Sequence, residues 1–218
     1  MITYILIALL FLSAFTLIAY FFSLNFINKK KKDKSIRIAN TFIYEVTPQI
    51  KTERFFINIL LFISLASTLG GTIVFASNYL DVMPIVIAVL STILLFCLGT
   101  IPFINIKFLK EHLYLSLGAV VTFFAANGLN AFLSYNILKL FDYKDVTAII
   151  SLVISGILFL ISFIFIMNPK LFYLKNDVND EVIARPKTIH LAYTEWAILF
   201  SSPLILVPLI LISSVLSI

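Results

Sequence analysis

The stretch ITYILIALLFLSAFTLIAYFFSLNFINKKKKDK, residues 2–34, decides how the rest of the chain is read. No charge occurs in it before Lys29, and then four lysines stand in a row. About 20 apolar residues suffice to cross a bilayer as a helix. A cleavable secretory leader carries its basic residues before the apolar run and a small-residue cleavage site after it. Here the basic block follows the apolar run. The pattern predicts a retained first helix whose amino end lies outside and whose carboxyl end is held at the cytoplasmic face.

The remaining sequence repeats the theme. The chain has 218 residues, 61% hydrophobic and 12% charged, with a mean hydropathy of +1.07. Soluble domains carry about 25% charged residues. The apolar runs are continuous, not alternating over ten-residue segments, which argues against a transmembrane β-barrel. The predicted fold is all-α: a polytopic transmembrane bundle forming a single integral membrane domain over residues 1–218. Six spans are expected at about 2–27, 55–77, 82–106, 113–138, 146–167 and 196–217. Cytoplasmic loops are expected at 28–54, 107–112 and 168–195.

Charge sets the threading. Fourteen of the 16 basic residues fall in those three loops, and only Lys139 and Lys144 fall on the other side. Basic residues near span ends favour the cytoplasmic side, so both termini are expected outside. Lys29, Lys30, Lys31, Lys32 and Lys34 read as a topology anchor. They also suit contact with anionic lipid headgroups, at about 1 kcal/mol per basic residue. No aromatic or glycine interleaving accompanies them, so a nucleic-acid partner is not expected despite the net charge of +5. The expected location is the cell membrane, with an organellar inner membrane left open.

The polar residues inside the spans are few. Asn127, Asn130 and Ser134 share one face of the fourth span by helical spacing. An amide in hydrocarbon needs a partner, so this face should meet another helix or line a path for a small solute. Small residues mark expected packing faces: Ser64, Thr68 and Gly71 on the second span, Ser151, Ser155 and Gly156 on the fifth. Pro102, Pro203 and Pro208 should kink or break their helices. The even spans open on similar short stretches at Glu53, Glu111 and Glu195, which suggests a three-hairpin repeat. Helix-end preferences for acidic residues and caps produce the same look without shared ancestry.

No ionisable residue falls in the middle of a predicted span, which counts against an ion-coupled pump. Cys97 is the only cysteine, so neither an intrachain disulfide nor a cysteine metal cluster is expected. No spacing calls for a metal or another cofactor. Both histidines and all five glutamates fall on the inner side, and an interfacial lipid-modifying or hydrolytic site would draw on His112, His190 and Glu195. No recognised catalytic spacing supports one. Apolar residues in loops 28–54 and 168–195 suggest short amphipathic pieces lying in the interface.

Residues 44–62, YEVTPQIKTERFFINILLF, resemble the junction between loop and second helix in the small three-helix membrane component of proton-pumping quinone oxidoreductases. That resemblance would imply a membrane subunit of a respiratory assembly. Val46 stands where that family carries Cys. Ser64, Leu65, Ala66 and Ser67 occupy the stretch of its acidic pair. The chain also has three additional spans. Three roles follow as expectations. The first is a non-catalytic membrane subunit with membrane or cytoplasmic protein partners besides the lipid bilayer. The second is a small-solute transporter lined by the fourth span. The third is an interfacial enzyme.

Overall fold

The computed structural model describes residues 1–32, 38, 41–47, 51–79, 81–104, 109–168 and 190–216, without the side chains of 31, 32, 44, 51, 109 and 110. The described residues are helical and contain no strand. The elements are α1 (Ile2–Lys32), α2 (Ile43–Val46), α3 (Lys51–Asn78), α4 (Val82–Thr100), α5 (Leu109–Leu140), α6 (Val146–Ile166), α7 (His190–Ser201) and α8 (Leu206–Leu216). Short 3-10 turns, Ile101–Phe103 and Ser202–Ile205, follow α4 and join α7 to α8. Six helical units are long and apolar enough to cross a membrane, the last of them being His190–Leu216.

Several helices depart from their expected bounds for physical reasons. α1 runs on to Lys32, because lysine is a good helix former and cations suit the negative end of the helix dipole. α4 stops at Thr100, since Pro102 cannot donate to the ladder. Beyond the helix end, the Pro102 carbonyl accepts from Arg54 Nη2 at 2.6 Å, and the same guanidinium lies 5.0 Å over the Phe103 ring. Asp81 and Asp145 cap α4 and α6 by accepting from the Val82 and Ala148 amides. The turn between α5 and α6 holds Asp142 and Tyr143 at φ 50° and 59°. The Tyr143 phenol is 3.4 Å from that of Tyr135, and this hydrogen bond raises its pKa above the usual tyrosine value.

The long helices run in sequence around the bundle: α1 on α3, α3 on α4, α4 on α5, α5 on α6. The sixth span sits among them, with α8 touching α1, α3, α5 and α6, and α7 lying against α5. It is the most buried of the six. Its two ends meet different neighbours. Thr3 near the start of α1 hydrogen-bonds Ser213 in α8, so the start of α1 and the last turn of α8 lie at one end of the bundle. Lys29, Lys30 and Arg54 lie at the opposite end, with the last turn of α1 and the first turns of α3 and α5.

The packing is inverted relative to a soluble protein. Tyr4, Phe11, Phe15, Phe22 and Phe26 form an exposed stripe along α1, and Val146, Val153, Leu160 and Ile164 stand out from α6. Ser13, Ser64, Thr68, Asn127, Asn130, Ser134, Ser151 and Ser155 are buried. In water this distribution would expose apolar side chains on every flank. In hydrocarbon it is favourable, because polar groups find partners only inside the bundle. The chain is therefore a multi-pass membrane protein.

Candidate functional site: a polar seam and a covered ion pair

Five polar residues of α5 lie buried along one face, in two groups. His112, Ser116, Asn127, Asn130 and Ser134 are each 1% exposed or less. At 1.5 Å rise per residue the stripe is about 33 Å long, the thickness of a hydrocarbon core. Ala119, Val120 and Phe123 interrupt it with apolar contacts. The stripe faces the sixth span, which is broken at its middle.

That break follows from proline. Pro203 cannot donate to the Leu199 carbonyl, and the Ser202 hydroxyl donates there instead at 2.8 Å. Beside and below the interruption, backbone carbonyls of the sixth span accept from neighbouring helices. Asn130 Nδ2 reaches the Ile205 carbonyl at 3.4 Å, and the Ser151 hydroxyl reaches that of Pro208 at 3.2 Å. Ser134 lies 2.9 Å from the Ser151 hydroxyl and accepts from Ser155. Asn127 Nδ2 bonds back to Phe123 of its own helix. The Oδ1 atoms of Asn127 and Asn130 are buried without a hydrogen-bond partner. Each such acceptor costs roughly 1–3 kcal/mol in a dry interior.

The expected packing faces divide. Ser64 and Thr68 meet Ser13 of α1 at 3.1 and 2.8 Å. Gly71 gives close approach to α8: a Cβ there would lie 2.6 Å from a Leu206 methyl. Ser151 and Ser155 join α6 to α5, as above. Gly156 faces open space, with nothing within 4 Å of a Cβ built on it. Of the lysine run, Lys29 and Lys30 are exposed on the last turns of α1, the backbone of Lys31 and Lys32 is helical, and Lys34 lies outside the described residues.

At the basic end a second arrangement appears, and sequence periodicity alone does not reveal it. The sixth span begins at His190, six residues before its expected start, so Glu195 enters the bundle. His112 Nε2 and Glu195 Oε1 are 2.6 Å apart, with side chains 1% and 2% exposed. The Ser116 hydroxyl lies 2.6 Å from the same Glu195 oxygen and 2.8 Å from the His112 carbonyl. Glu195 Oε2 is buried without a hydrogen-bond partner. His190 does not join this cluster; its Nδ1 is 3.3 Å from Asn168 Nδ2. The arrangement is not an acyl-transfer triad, because hydroxyl and imidazole both meet the carboxylate, not each other.

A segment of the first long connector covers the pair. Residues 42, 43, 46 and 47 are buried, so this piece is tucked into the bundle and does not lie flat on the interface. The Phe42 ring meets His112 edge to face, with centroids 4.9 Å apart. Ile43 and Val46 pack into the main apolar core, and side chains donate to the segment's backbone: Trp196 Nε1 to the Thr41 carbonyl at 2.8 Å, and Asn28 Nδ2 to that of Val46 at 3.0 Å. The Glu45 carboxylate accepts from the Phe42 amide at 2.8 Å. Among the described residues no group of three or more metal-ligating side chains gathers. Comparison with protein-family models, with curated proteins and with solved structures gives no match for the chain.

Proposed function

We propose that the chain is a small-solute permease of the cell membrane, with the seam between α5 and the broken sixth span as its route. The observation that supports this reading most is the pairing of Asn127 and Asn130, each with a buried, unpartnered carbonyl oxygen, with an interrupted helix at the same depth. Discontinuous helices beside polar side chains are how many transporters bind solutes within the bilayer. The unpartnered acceptors suit a neutral or cationic solute carrying N–H or O–H donors. In this reading the basic end faces the cytoplasm and both termini face outside, from the charge asymmetry. A three-hairpin origin is compatible with six antiparallel spans. Glu53 and Glu111 lie in first turns of α3 and α5, whereas Glu195 sits one turn deeper in α7.

A second reading is favoured by the Asn130 bond to Ile205. It treats the amides as interhelical fasteners and the chain as a non-catalytic membrane subunit. Such bonds contribute about 0.6 kcal/mol on average in membrane bundles. Flux separates the two. Asn127→Leu and Asn130→Leu in purified protein reconstituted into liposomes should insert normally and reduce solute uptake at least about tenfold, as expected when a site loses 1.4 kcal/mol or more. Unchanged or absent uptake in all forms, together with copurification of fixed partners in mild detergent, would favour the second reading.

A further inference from the structure

We propose that Ser91 of α4 completes the solute site at the break in the sixth span, and that the site takes a small primary amide. This inference rests on the permease reading and names the solute class for it. Ser91 adds an open hydrogen-bond donor to the open acceptors of Asn127 and Asn130.

Spacing and packing place Ser91 at this site. Ile87, Ser91, Leu94 and Leu98 share one face of α4, and all four are buried. Leu94 belongs to one apolar cluster with Phe123 and Ile205, and Ile87 to another with Leu133 and Leu206. The sixth span passes from the first cluster to the second where its 3-10 turn ends. Ser91 on α4, and Asn127 and Asn130 on α5, occupy the polar layer between the two clusters. The register of the antiparallel pair agrees. Met83 meets Asn136 and Cys97 lies beside Gly118, so Ser91 is level with residues 124–128 of α5.

A hydroxyl in a membrane helix commonly donates to a carbonyl of the preceding turn, as those of Thr72, Ser134 and Ser155 do. Ser91 differs: its hydroxyl is fully buried and has no partner. The layer therefore presents one open hydroxyl donor and, from Asn127 and Asn130, two open carbonyl acceptors a turn apart. A primary amide answers these one for one. Its two N–H groups donate to the asparagine oxygens, and its carbonyl accepts from Ser91. A single alcohol group has one proton and leaves an asparagine oxygen unanswered. A cation meets no counter-charge, because among the described residues no charged side chain lies at this level.

The test uses purified full-length protein in liposomes, with acetamide, its cationic isostere acetamidinium, and glycerol as probes. Each rate is taken above that of protein-free vesicles. Acetamide should enter faster than either of the others. Ser91→Ala should slow acetamide about tenfold, the equivalent of one lost hydrogen bond. Removing a hydroxyl without a partner strands nothing, so Ser91→Ala should unfold at the same temperature or higher. Slower uptake without lower stability separates a solute contact from a structural role. Preference for acetamidinium or glycerol over acetamide would overturn the amide site and leave the permease reading standing. Undiminished acetamide uptake by Ser91→Ala would do the same. Absence of acetamide uptake by the unaltered protein would also overturn the amide site, whereas the permease reading falls only when no solute enters. The preference among probes is read in unaltered protein, so it decides even if Ser91→Ala fails to insert.

Discussion

His112→Leu is expected to destabilise the folded bundle by about 3–5 kcal/mol, the usual penalty for leaving one partner of a buried ion pair behind. The variant strands the Glu195 carboxylate with only the Ser116 hydroxyl as donor. Glu195→Leu strands the imidazole in the same way. The double variant His112→Leu/Glu195→Leu removes both polar groups and keeps comparable volume. It should recover most of the loss, since replacing a whole buried pair by apolar side chains is often neutral or stabilising. Ser116 keeps its bond to the carbonyl of residue 112 in every case. Denaturation with sodium dodecyl sulfate in mixed micelles, followed by helix signal, gives the three stabilities. A double variant as unstable as the singles would mean that the pair contributes by its own attraction and not merely by mutual neutralisation.

The second large effect is expected at Trp196. The ring is fully buried, edge-on to Phe21 at 5.7 Å and stacked with Phe200 at 5.8 Å. Its Nε1 also latches the cover at Thr41. Trp196→Ala removes ring, contacts and latch together and should cost about 3 kcal/mol or more. Trp196→Phe retains much of the ring volume and loses the hydrogen bond, for a cost of about 1 kcal/mol. The difference between the two isolates packing from latching in the same unfolding assay.

Much of the architecture is legible in the sequence, and the reason is the solvent. A bilayer demands long uninterrupted apolar helices, and the charge pattern marks where each one ends. Pro102 and Pro203 announce breaks because the missing amide is a covalent fact. Helix ends are less legible. Lys29 to Lys32 look like loop by charge and are helical, and Glu195 looks like the loop edge and lies in α7. The reason is common to both: a charge near a span end can continue the helix where a partner or the interface receives it.

The polar seam is half legible. The spacing of Asn127, Asn130 and Ser134 places them on one face, and the structure turns that face inward against Ile205, Ser151 and Ser155. The His112–Glu195–Ser116 cluster depends on contacts between residues some 80 positions apart, which no local periodicity encodes. Ser13 against Ser64 and Thr68 is similar, since a lone serine in an apolar helix carries no directional signal. The burial of Phe42 and Ile43 within a connector is likewise tertiary: their sequence reads as an interfacial strip, and only the pocket beside Trp196 and His112 draws them inside.

The proposed solute route requires a bundle whose basic end lies on one side of a membrane and whose two termini lie on the other. Single cysteines at Lys30 and Lys144, in a Cys97→Ser background, test this most directly with a membrane-impermeant maleimide on intact cells. Labelling of Lys144→Cys from outside, with Lys30→Cys protected until the membrane is opened, is the predicted result. Equal labelling of both from one side would contradict it.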